Sequence, residues 1–292
     1  MLKIEINNFI DYLIFEKKYS SHTVRAYSKD LNDFYIFIKK ESIKSFIDIK
    51  KQDIHQYLYL LSVKKYTNKT VSRKLAAIKS LFNFLLRKKI ITHNIVKSIP
   101  SPKKEKKLPI FLTQDQISLL LNFSDKENLR DILILEIFYS TGIRISELIK
   151  IKIEDINLNN NTINILGKGN KRRVVIIGNY AKKRIEDYLN YNHKILNKFL
   201  FPNLRQSKSK HISDRSVFNI VKKYAFKVTQ NEKISPHSLR HTFATHLLNN
   251  GADLMSVKEL LGHEDLSSTQ IYAHVNIEQM KKAFKKAHPH AK

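Results

Sequence analysis

The chain has no cysteine among its 292 residues. This absence excludes disulfide bonds, thiolate nucleophiles and cysteine-based zinc sites. Because nothing in the chain exploits an oxidising environment, we expect it to work in a reducing compartment, the cytoplasm. Uncharged runs of roughly 18 residues, the length that a transmembrane helix needs, are also missing. The first residues carry charged and amide side chains too early for a signal peptide, so we expect neither a membrane span nor a secretion signal.

Acidic residues are scarce: 26 Asp and Glu stand against 53 Lys and Arg, for a formal net charge of +27. Residues 1–100 hold 20 bases and 8 acids, a net of +12, and the rest hold 33 and 18, a net of +15. Both halves are basic, which favours a polyanion such as nucleic acid as the partner. The alternative is a composition that serves solubility, since 42 of the 53 bases are Lys. A membrane surface is disfavoured, because the bases do not lie on one strongly amphipathic helix.

Glycine and proline are also few, with six of each, and no glycine occurs in the first 141 residues. This scarcity favours helices joined by short polar turns. Pro100, Pro102 and Pro109 flank the charged run 103–107, a pattern typical of an extended connector. We therefore predict a basic linker at 100–109 between a first domain, 1–99, and a second domain, 110–292.

Apolar residues of the first domain recur at steps of three and four, which predicts a bundle of four helices. The first helix covers residues 6–14, and Ser20 or Ser21 caps the second. The stripes of the other three helices are Val24, Tyr27, Leu31, Phe34 and Ile38; Ile54, Tyr57, Leu58 and Leu61; and Val71, Leu75, Ile78, Phe82 and Leu85.

The second domain opens with a capping box at 113–116, followed by an apolar helix over 130–140 that ends near Gly142. Two strands, 162–166 and 174–177, flank a turn and predict a β-hairpin. Helical patterns resume near residues 180, 214, 237, 253 and 268. The fold class is therefore mainly α, with two domains and a small antiparallel sheet in the second.

Two short segments carry candidate phosphate ligands. Arg144 follows a helix-ending glycine, and a guanidinium can bind two phosphate oxygens at once. The alternative is a surface ion pair with Glu147, three residues on. His237 and Arg240 share one face of a helix that Pro236 starts, although a helix N-terminal histidine and an extended surface arginine would give the same pattern.

The other polar candidates are weaker taken singly. His237 and His241 are four residues apart, a spacing that suits two ligands of one metal ion. However, Ser238 stands where a zinc protease needs Glu, and no third ligand follows at a suitable spacing. A metal site is therefore disfavoured. Lys168 lies in the hairpin turn and fits no phosphate loop, which leaves a polar turn residue as the default. Tyr272 is one of 13 tyrosines, and by itself it indicates an ordinary core or surface position.

Together, however, these segments resemble the tyrosine recombinases, and most closely the Xer type. The resemblance covers nearly the whole chain. It rests on Thr-Gly-x-Arg-x-Ser-Glu-Leu at 141–148, His-x-Leu-Arg-His at 237–241 and Leu-Gly-His-x-Asp-Leu-Ser-x-Thr-Gln-Ile-Tyr at 261–272. Ala273 follows the tyrosine where Thr is frequent in the family, which leaves the chemistry unaffected.

The resemblance implies a catalytic set without metal or other cofactor. Arg144 and Arg240 would clamp the phosphate, Lys168 would protonate the leaving oxygen, His237 and His263 would be the active-site histidines, and Tyr272 would be the nucleophile. It also implies a 3′-phosphotyrosine intermediate, a first domain that binds double-stranded DNA, and a homo-tetramer or a hetero-tetramer with a paralogue, which a DNA translocase could activate.

Several functions fit this resemblance. The favoured one is the resolution of chromosome dimers at a dif-like site during segregation. The alternatives are the integrase of a mobile element, a type IB topoisomerase-like enzyme and a DNA-binding protein that no longer cleaves. The sequence shows no additional arm-binding domain, which favours the Xer type over many phage integrases.

The end of the chain carries a short amphipathic helix, with Ile277, Met280 and Phe284 on its apolar stripe. Such a short helix needs a surface to dock on. The resemblance implies docking on a neighbouring subunit. The alternative is docking on its own domain, which is usual for terminal helices.

Overall fold

The structure is a computed structural model, and it describes residues 2–102, 110–123, 129–167, 171–192, 198–203, 210–262 and 277–291. The chain divides into two compact units, residues 1–107 and 108–292. Both are mainly helical, and the second contains a small antiparallel sheet, which confirms the predicted fold class. Among the described helices none is long and apolar enough to cross a membrane. Most of the predicted linker lies outside the described residues, so its boundaries stay a prediction.

The first unit contains the four predicted helices. They are α1 (Leu2–Asp11), α2 (Ser21–Lys40), α3 (Lys51–Val63) and α4 (Asn68–Arg87), with a π-helical turn, Tyr12–Glu16, directly after α1. The Ser20 hydroxyl accepts a hydrogen bond from the Thr23 amide at 3.3 Å, so Ser20, and not Ser21, caps α2.

The predicted apolar stripes form the core of this unit. Leu31, Phe34, Ile38, Leu75 and Ile78 are fully buried, while Val24 and Tyr27, at the start of α2, are half-buried. A buried ion pair ties the same two helices together, because Lys74 Nζ on α4 lies 3.2 Å from the Asp30 carboxylate on α2. Apolar packing and a paired buried charge therefore both hold α2 against α4.

The second unit is built around a buried helix. Its helices are α5 (Gln114–Leu121), α6 (Leu129–Thr141), α7 (Ile145–Leu148), α8 (Asn179–Asn192), α9 (Asp214–Thr229), α10 (Pro236–Asn249), α11 (Leu254–Leu261) and α12 (Ile277–Ala287). Residues 131–141 of α6 are buried on all sides, so the apolar run at 130–140 is the centre of the core. The predicted capping box is present: the Thr113 amide donates to Gln116 Oε1 at 3.0 Å, and the Gln116 amide donates to Thr113 Oγ1 at 3.2 Å.

The sheet has three antiparallel strands in the order β1 (Ile156–Asn157), β2 (Thr162–Leu166) and β3 (Arg172–Ile176). The hairpin of β2 and β3 was predicted, but β3 begins two residues earlier than expected. The reason is that the Gly167 amide donates to the Lys171 carbonyl at 2.8 Å, which carries the pairing down to the turn. The short strand β1 was not predicted. In the β2–β3 register Ile163 faces Val175 and Ile165 faces Arg173.

The C-terminal helix α12 packs on its own unit. Phe284 and Ala287 are buried against an apolar cluster that includes Phe243, Leu247 and Leu261, and Met280 contacts the same cluster. In the single chain this stripe thus follows the alternative, docking on its own unit, where α10 and α11 offer an apolar surface. Docking on a neighbouring subunit stays a prediction. The helical pattern predicted near residue 268 lies outside the described residues.

Candidate active site

Arg144 stands at a sharp turn between α6 and α7. Gly142 ends α6 with φ +59°, a conformation that favours glycine. A Cβ atom on Gly142 would also lie 2.5 Å from Phe243 Cδ1, so this position has no room for a side chain. Arg144 then has extended dihedrals as the residue before α7, and its amide donates to Glu147 Oε2 at 2.8 Å. Its side chain remains 35% exposed and open to a ligand.

Glu147 is a buried carboxylate that two arginines share. It accepts hydrogen bonds from Arg144 Nη1 at 3.0 Å, from Arg173 Nη1 at 2.7 Å and from Arg173 Nη2 at 3.1 Å. Burial favours the neutral carboxyl, but the hydrogen bonds from Arg173 and Arg144 outweigh it and lower the pKa of Glu147. The Arg144–Glu147 pair of the alternative interpretation is thus present, yet its carboxylate is only 2% exposed and it is not an isolated surface pair.

Arg240, on α10, is almost fully buried. Its Nη1 donates to the Gly142 carbonyl at 2.5 Å and its Nη2 donates to the Leu261 carbonyl at 2.8 Å. Burial, and next the charge of Arg144, lower the pKa of Arg240 to about 10, so it is still charged at neutral pH. Arg240 therefore joins the turn that precedes Arg144 to the end of α11.

The helix that carries Arg240 is itself held by buried polar contacts. Thr242 Oγ1 accepts from the Leu112 amide at 3.0 Å, and His246 Nε2 lies 2.9 Å from the Leu112 carbonyl, to which it donates. Burial lowers the pKa of His246, so its Nδ1 is unprotonated and accepts from the Tyr139 hydroxyl at 3.1 Å. These contacts fix the rotation of α10 and with it the direction of Arg240.

The other predicted site residues divide into two groups. His237 is exposed on the first turn of α10, one turn before Arg240. Lys168, His263 and Tyr272 lie outside the described residues. The structure therefore brings Arg144 and Arg240 together, and the predicted roles of all six residues remain predictions.

The described part of the site suits a phosphodiester. Arg144, Arg173 and Arg240 carry three positive charges beside the single negative charge of Glu147, which leaves a local excess of positive charge. Guanidinium groups match phosphate oxygens in both geometry and charge, and preorganised cations stabilise the charge that develops on those oxygens during phosphoryl transfer. The described arginines thus supply the positive charge and the donors that a phosphate ligand requires. Sequence reasoning missed Arg173 and treated Glu147 only as a surface partner.

Comparison with known proteins identifies the family of the chain. Residues 110–279 match the model of the phage integrase family, and residues 6–89 match the N-terminal SAM-like domain of phage integrases. The chain is 40% identical over 290 residues to tyrosine recombinase XerC of Listeria innocua, with 97% of each chain covered. It is 38% identical over 293 residues to tyrosine recombinase XerC of Bacillus subtilis, covering 97% of this chain and 95% of that one.

Solved structures show the same fold. The post-cleavage complex of the XerH site-specific recombinase with a palindromic difH substrate superposes with a TM-score of 0.71 at 24% identity, over 90% of this chain and 79% of that chain. The chain belongs to the phage integrase family, and it is a tyrosine recombinase, an enzyme that breaks and rejoins DNA.

Proposed function

We propose that this recombinase acts on double-stranded DNA at a dif-like site and resolves chromosome dimers, as a tetramer of identical or paralogous subunits. The observation that carries the proposal is the partly exposed Arg144 beside the buried Glu147 and Arg240, in a chain that aligns with relatives named XerC over nearly their full lengths. That alignment favours the Xer-type role over the integrase of a mobile element.

The two arginines would stabilise the transition state. When a nucleophile attacks a phosphodiester, negative charge grows on the two non-bridging oxygens. Arg144, partly exposed at its turn, would bind these oxygens, and the buried charge of Arg240 would act at low dielectric, where its effect is larger than in water. Because the arginines supply the positive charge, the step needs no metal ion.

The remaining motif residues would carry out the bond making and the proton transfers. The Tyr272 oxygen would attack phosphorus as the bond from phosphorus to the 5′-oxygen breaks, which gives a 3′-phosphotyrosine. Free tyrosine, with a pKa near 10, is a weak nucleophile, so His237 would take its proton, while Lys168 would protonate the leaving 5′-oxygen and His263 would complete the phosphate pocket. The released 5′-hydroxyl would then attack the phosphorus of the phosphotyrosine on the partner duplex. A new phosphodiester would form as the bond from phosphorus to the tyrosine oxygen breaks and Tyr272 regains its proton, so no ATP is needed.

The experiment is recombination of a plasmid that carries two directly repeated copies of a dif-like site from the source chromosome. We expect deletion circles with the wild-type chain and none with the Tyr272→Phe variant. Recombination only at the ends of a mobile element would favour the integrase alternative. Relaxation of supercoils on plasmids without the site would favour the topoisomerase-like alternative.

A further inference from the structure

Arg173 occupies a register position that belongs to the core. On β3 it faces Ile165 across the hairpin, and residues directly opposite each other in an antiparallel pair lie on the same face of the sheet. Ile165 and the next residue on that face, Val175, are both 2% exposed. An arginine in such a row is costly unless its charge is paired.

The charge of Arg173 is paired with Glu147, 26 positions earlier in the chain. Both terminal nitrogens donate to the carboxylate, at 2.7 and 3.1 Å, in the parallel two-bond geometry that only an arginine provides. Glu147 in turn accepts from both the amide and the guanidinium of Arg144. Arg173 therefore fixes the carboxylate that fixes Arg144.

One glycine makes room for the Arg173 side chain, and a second lies in contact with it. Gly262, which ends α11 with φ +63°, would place a Cβ atom only 2.7 Å from Arg173 Nε. A Cβ atom on Gly167 would lie 3.4 Å from Arg173 Nη1. The guanidinium is thus confined between the end of β2, the end of α11 and Glu147, which removes most of its freedom to turn.

We propose that Arg173 is a positioning residue of the cleavage reaction: through Glu147 it holds the Arg144 guanidinium in the direction that meets the scissile phosphate. Arg173 would act through Glu147, because both of its terminal nitrogens donate to that carboxylate. The proposal rests on the proposed role of Arg144 as a phosphate ligand.

The chemistry predicts a defect that differs from a loss of folding. Without Arg173, Glu147 would keep Arg144 as its only arginine partner, and the Arg144 guanidinium would turn toward the carboxylate and away from the phosphate. A neutral methylphosphonate at the scissile position lacks one of the oxygens on which charge develops. A misdirected Arg144 should therefore matter less for that substrate than for the natural phosphate.

The test compares single-turnover cleavage of two suicide duplexes that differ only in a phosphate or a methylphosphonate at the scissile position. The variants are Arg173→Gln, Arg173→Lys, Arg144→Gln and, as the matched control on the same strand, Arg172→Gln, whose parent side chain is exposed. Thermal unfolding and duplex binding are measured for each.

We expect Arg173→Gln to bind DNA within about twofold of wild type and to cleave the phosphate about 100-fold more slowly, the size of loss seen when one transition-state donor is removed. On the methylphosphonate its deficit should shrink to about tenfold or less, and Arg144→Gln should show the same pattern. Arg173→Lys keeps the charge but not the two-bond geometry, so its cleavage deficit should lie between those of wild type and Arg173→Gln. This variant still tests the proposal if Arg173→Gln does not fold. Arg172→Gln should cleave as wild type does.

Equal deficits on both substrates, in Arg173→Gln or in Arg173→Lys, would mean that Arg173 only supports the fold, and would overturn the proposal. So would normal cleavage by Arg173→Gln beside an impaired Arg144→Gln. Normal cleavage by Arg144→Gln would instead refute the proposed role of Arg144, and this inference with it.

Discussion

Two guanidinium groups bind one buried carboxylate in the second unit and a third is close enough to feel its charge, and this is the residue-scale feature from which the chemistry follows. Glu147 orients Arg144 and Arg173 by hydrogen bonds, while Arg240 is oriented by two backbone carbonyls. Each arginine is thus held before any substrate arrives. Preorganised charges need little rearrangement during the reaction, and this is the main way in which an enzyme stabilises a charged transition state.

Replacing either proposed phosphate ligand by lysine should be severe although the charge is kept. A lysine ammonium is a point charge that cannot bind two oxygens in one plane. We expect Arg144→Lys and Arg240→Lys each to lose about 3 kcal/mol or more of transition-state stabilisation, a rate loss of roughly 100-fold. Single-turnover cleavage of a suicide duplex measures this loss, and a near-normal rate for either variant would remove that residue from the clamp.

Chelation of divalent metal should leave cleavage intact, because the arginines supply the positive charge at the phosphate. We expect the same single-turnover rate with and without EDTA in the buffer. A strict requirement for Mg²⁺ in the cleavage step, restored by adding the ion back, would show that the arginines do not suffice.

The arginines of the motifs could be predicted from the sequence, whereas the residue that orients Arg144 through Glu147 could not. Arg144 and Arg240 lie in dense local motifs, and the Gly142 turn before Arg144 is visible as a helix end. Arg173 pairs with a residue 26 positions away, a contact that no local pattern records. One signal was available: in β3, Arg173 precedes Val175 on the same face of the strand, which puts a charged residue on the apolar face.

At the scale of elements, α12 is the part whose environment differs most from expectation. Directly after α12, His288 anchors the chain to the rest of the second unit: its Nε2 donates to the Tyr139 carbonyl and its Nδ1 accepts from the His290 amide, both at 3.1 Å. The ring also stacks on Phe284, with centroids 4.6 Å apart. The apolar stripe is confirmed at Met280 and Phe284, but a stripe does not identify the surface that covers it.

The cis docking of α12 should be sensitive to acid. Burial lowers the pKa of His288 to about 3, and the nearby His290 and His246 act in the same direction, while the Tyr139 carbonyl opposes it. The unfolded chain takes up a proton near pH 6.5 and the folded one does not. The contribution of neutral His288 to the free energy of unfolding is therefore fully present above about pH 6.5. It falls by about 1.4 kcal/mol for each pH unit between there and the folded pKa of about 3.

The measurement is the free energy of unfolding, obtained by chemical denaturation at several pH values between about 7.5 and 5. The His288→Gln variant, which keeps a donor but does not titrate in this range, should show a shallower decline than wild type. Equal slopes for both proteins would mean that His288 is not buried as a neutral ring.

Removing the main apolar contact of α12 should also destabilise the second unit. Phe284 is 1% exposed, and truncating a buried phenylalanine to alanine costs about 3–5 kcal/mol. We expect Phe284→Ala to lower the denaturation midpoint strongly and the exposed neighbour Lys285→Ala to leave it unchanged. A Phe284→Ala variant with wild-type stability would indicate that the helix does not dock on its own unit in solution.

At the scale of the whole molecule, both units are basic and the net charge is +27. A duplex that contacts both would displace many counterions, so binding should weaken steeply as salt rises. We expect a linear fall of the logarithm of affinity with the logarithm of salt concentration, with a slope of several units, in titrations of a labelled duplex between about 50 and 200 mM salt. An affinity that does not change with salt concentration would mean that the positive charge does not contact the DNA.

The central claim is that Tyr272 becomes covalently joined to DNA, and it is tested most directly by trapping that bond. A suicide duplex with a dif-like site is incubated with the wild-type chain, and the protein–DNA product that survives denaturation is digested and sequenced by mass spectrometry. We predict one modified peptide, with the 3′-phosphate of the cleaved strand on Tyr272, and no adduct with Tyr272→Phe, which should bind the duplex as wild type does. An adduct on another residue, or an adduct that persists in Tyr272→Phe, would contradict the account.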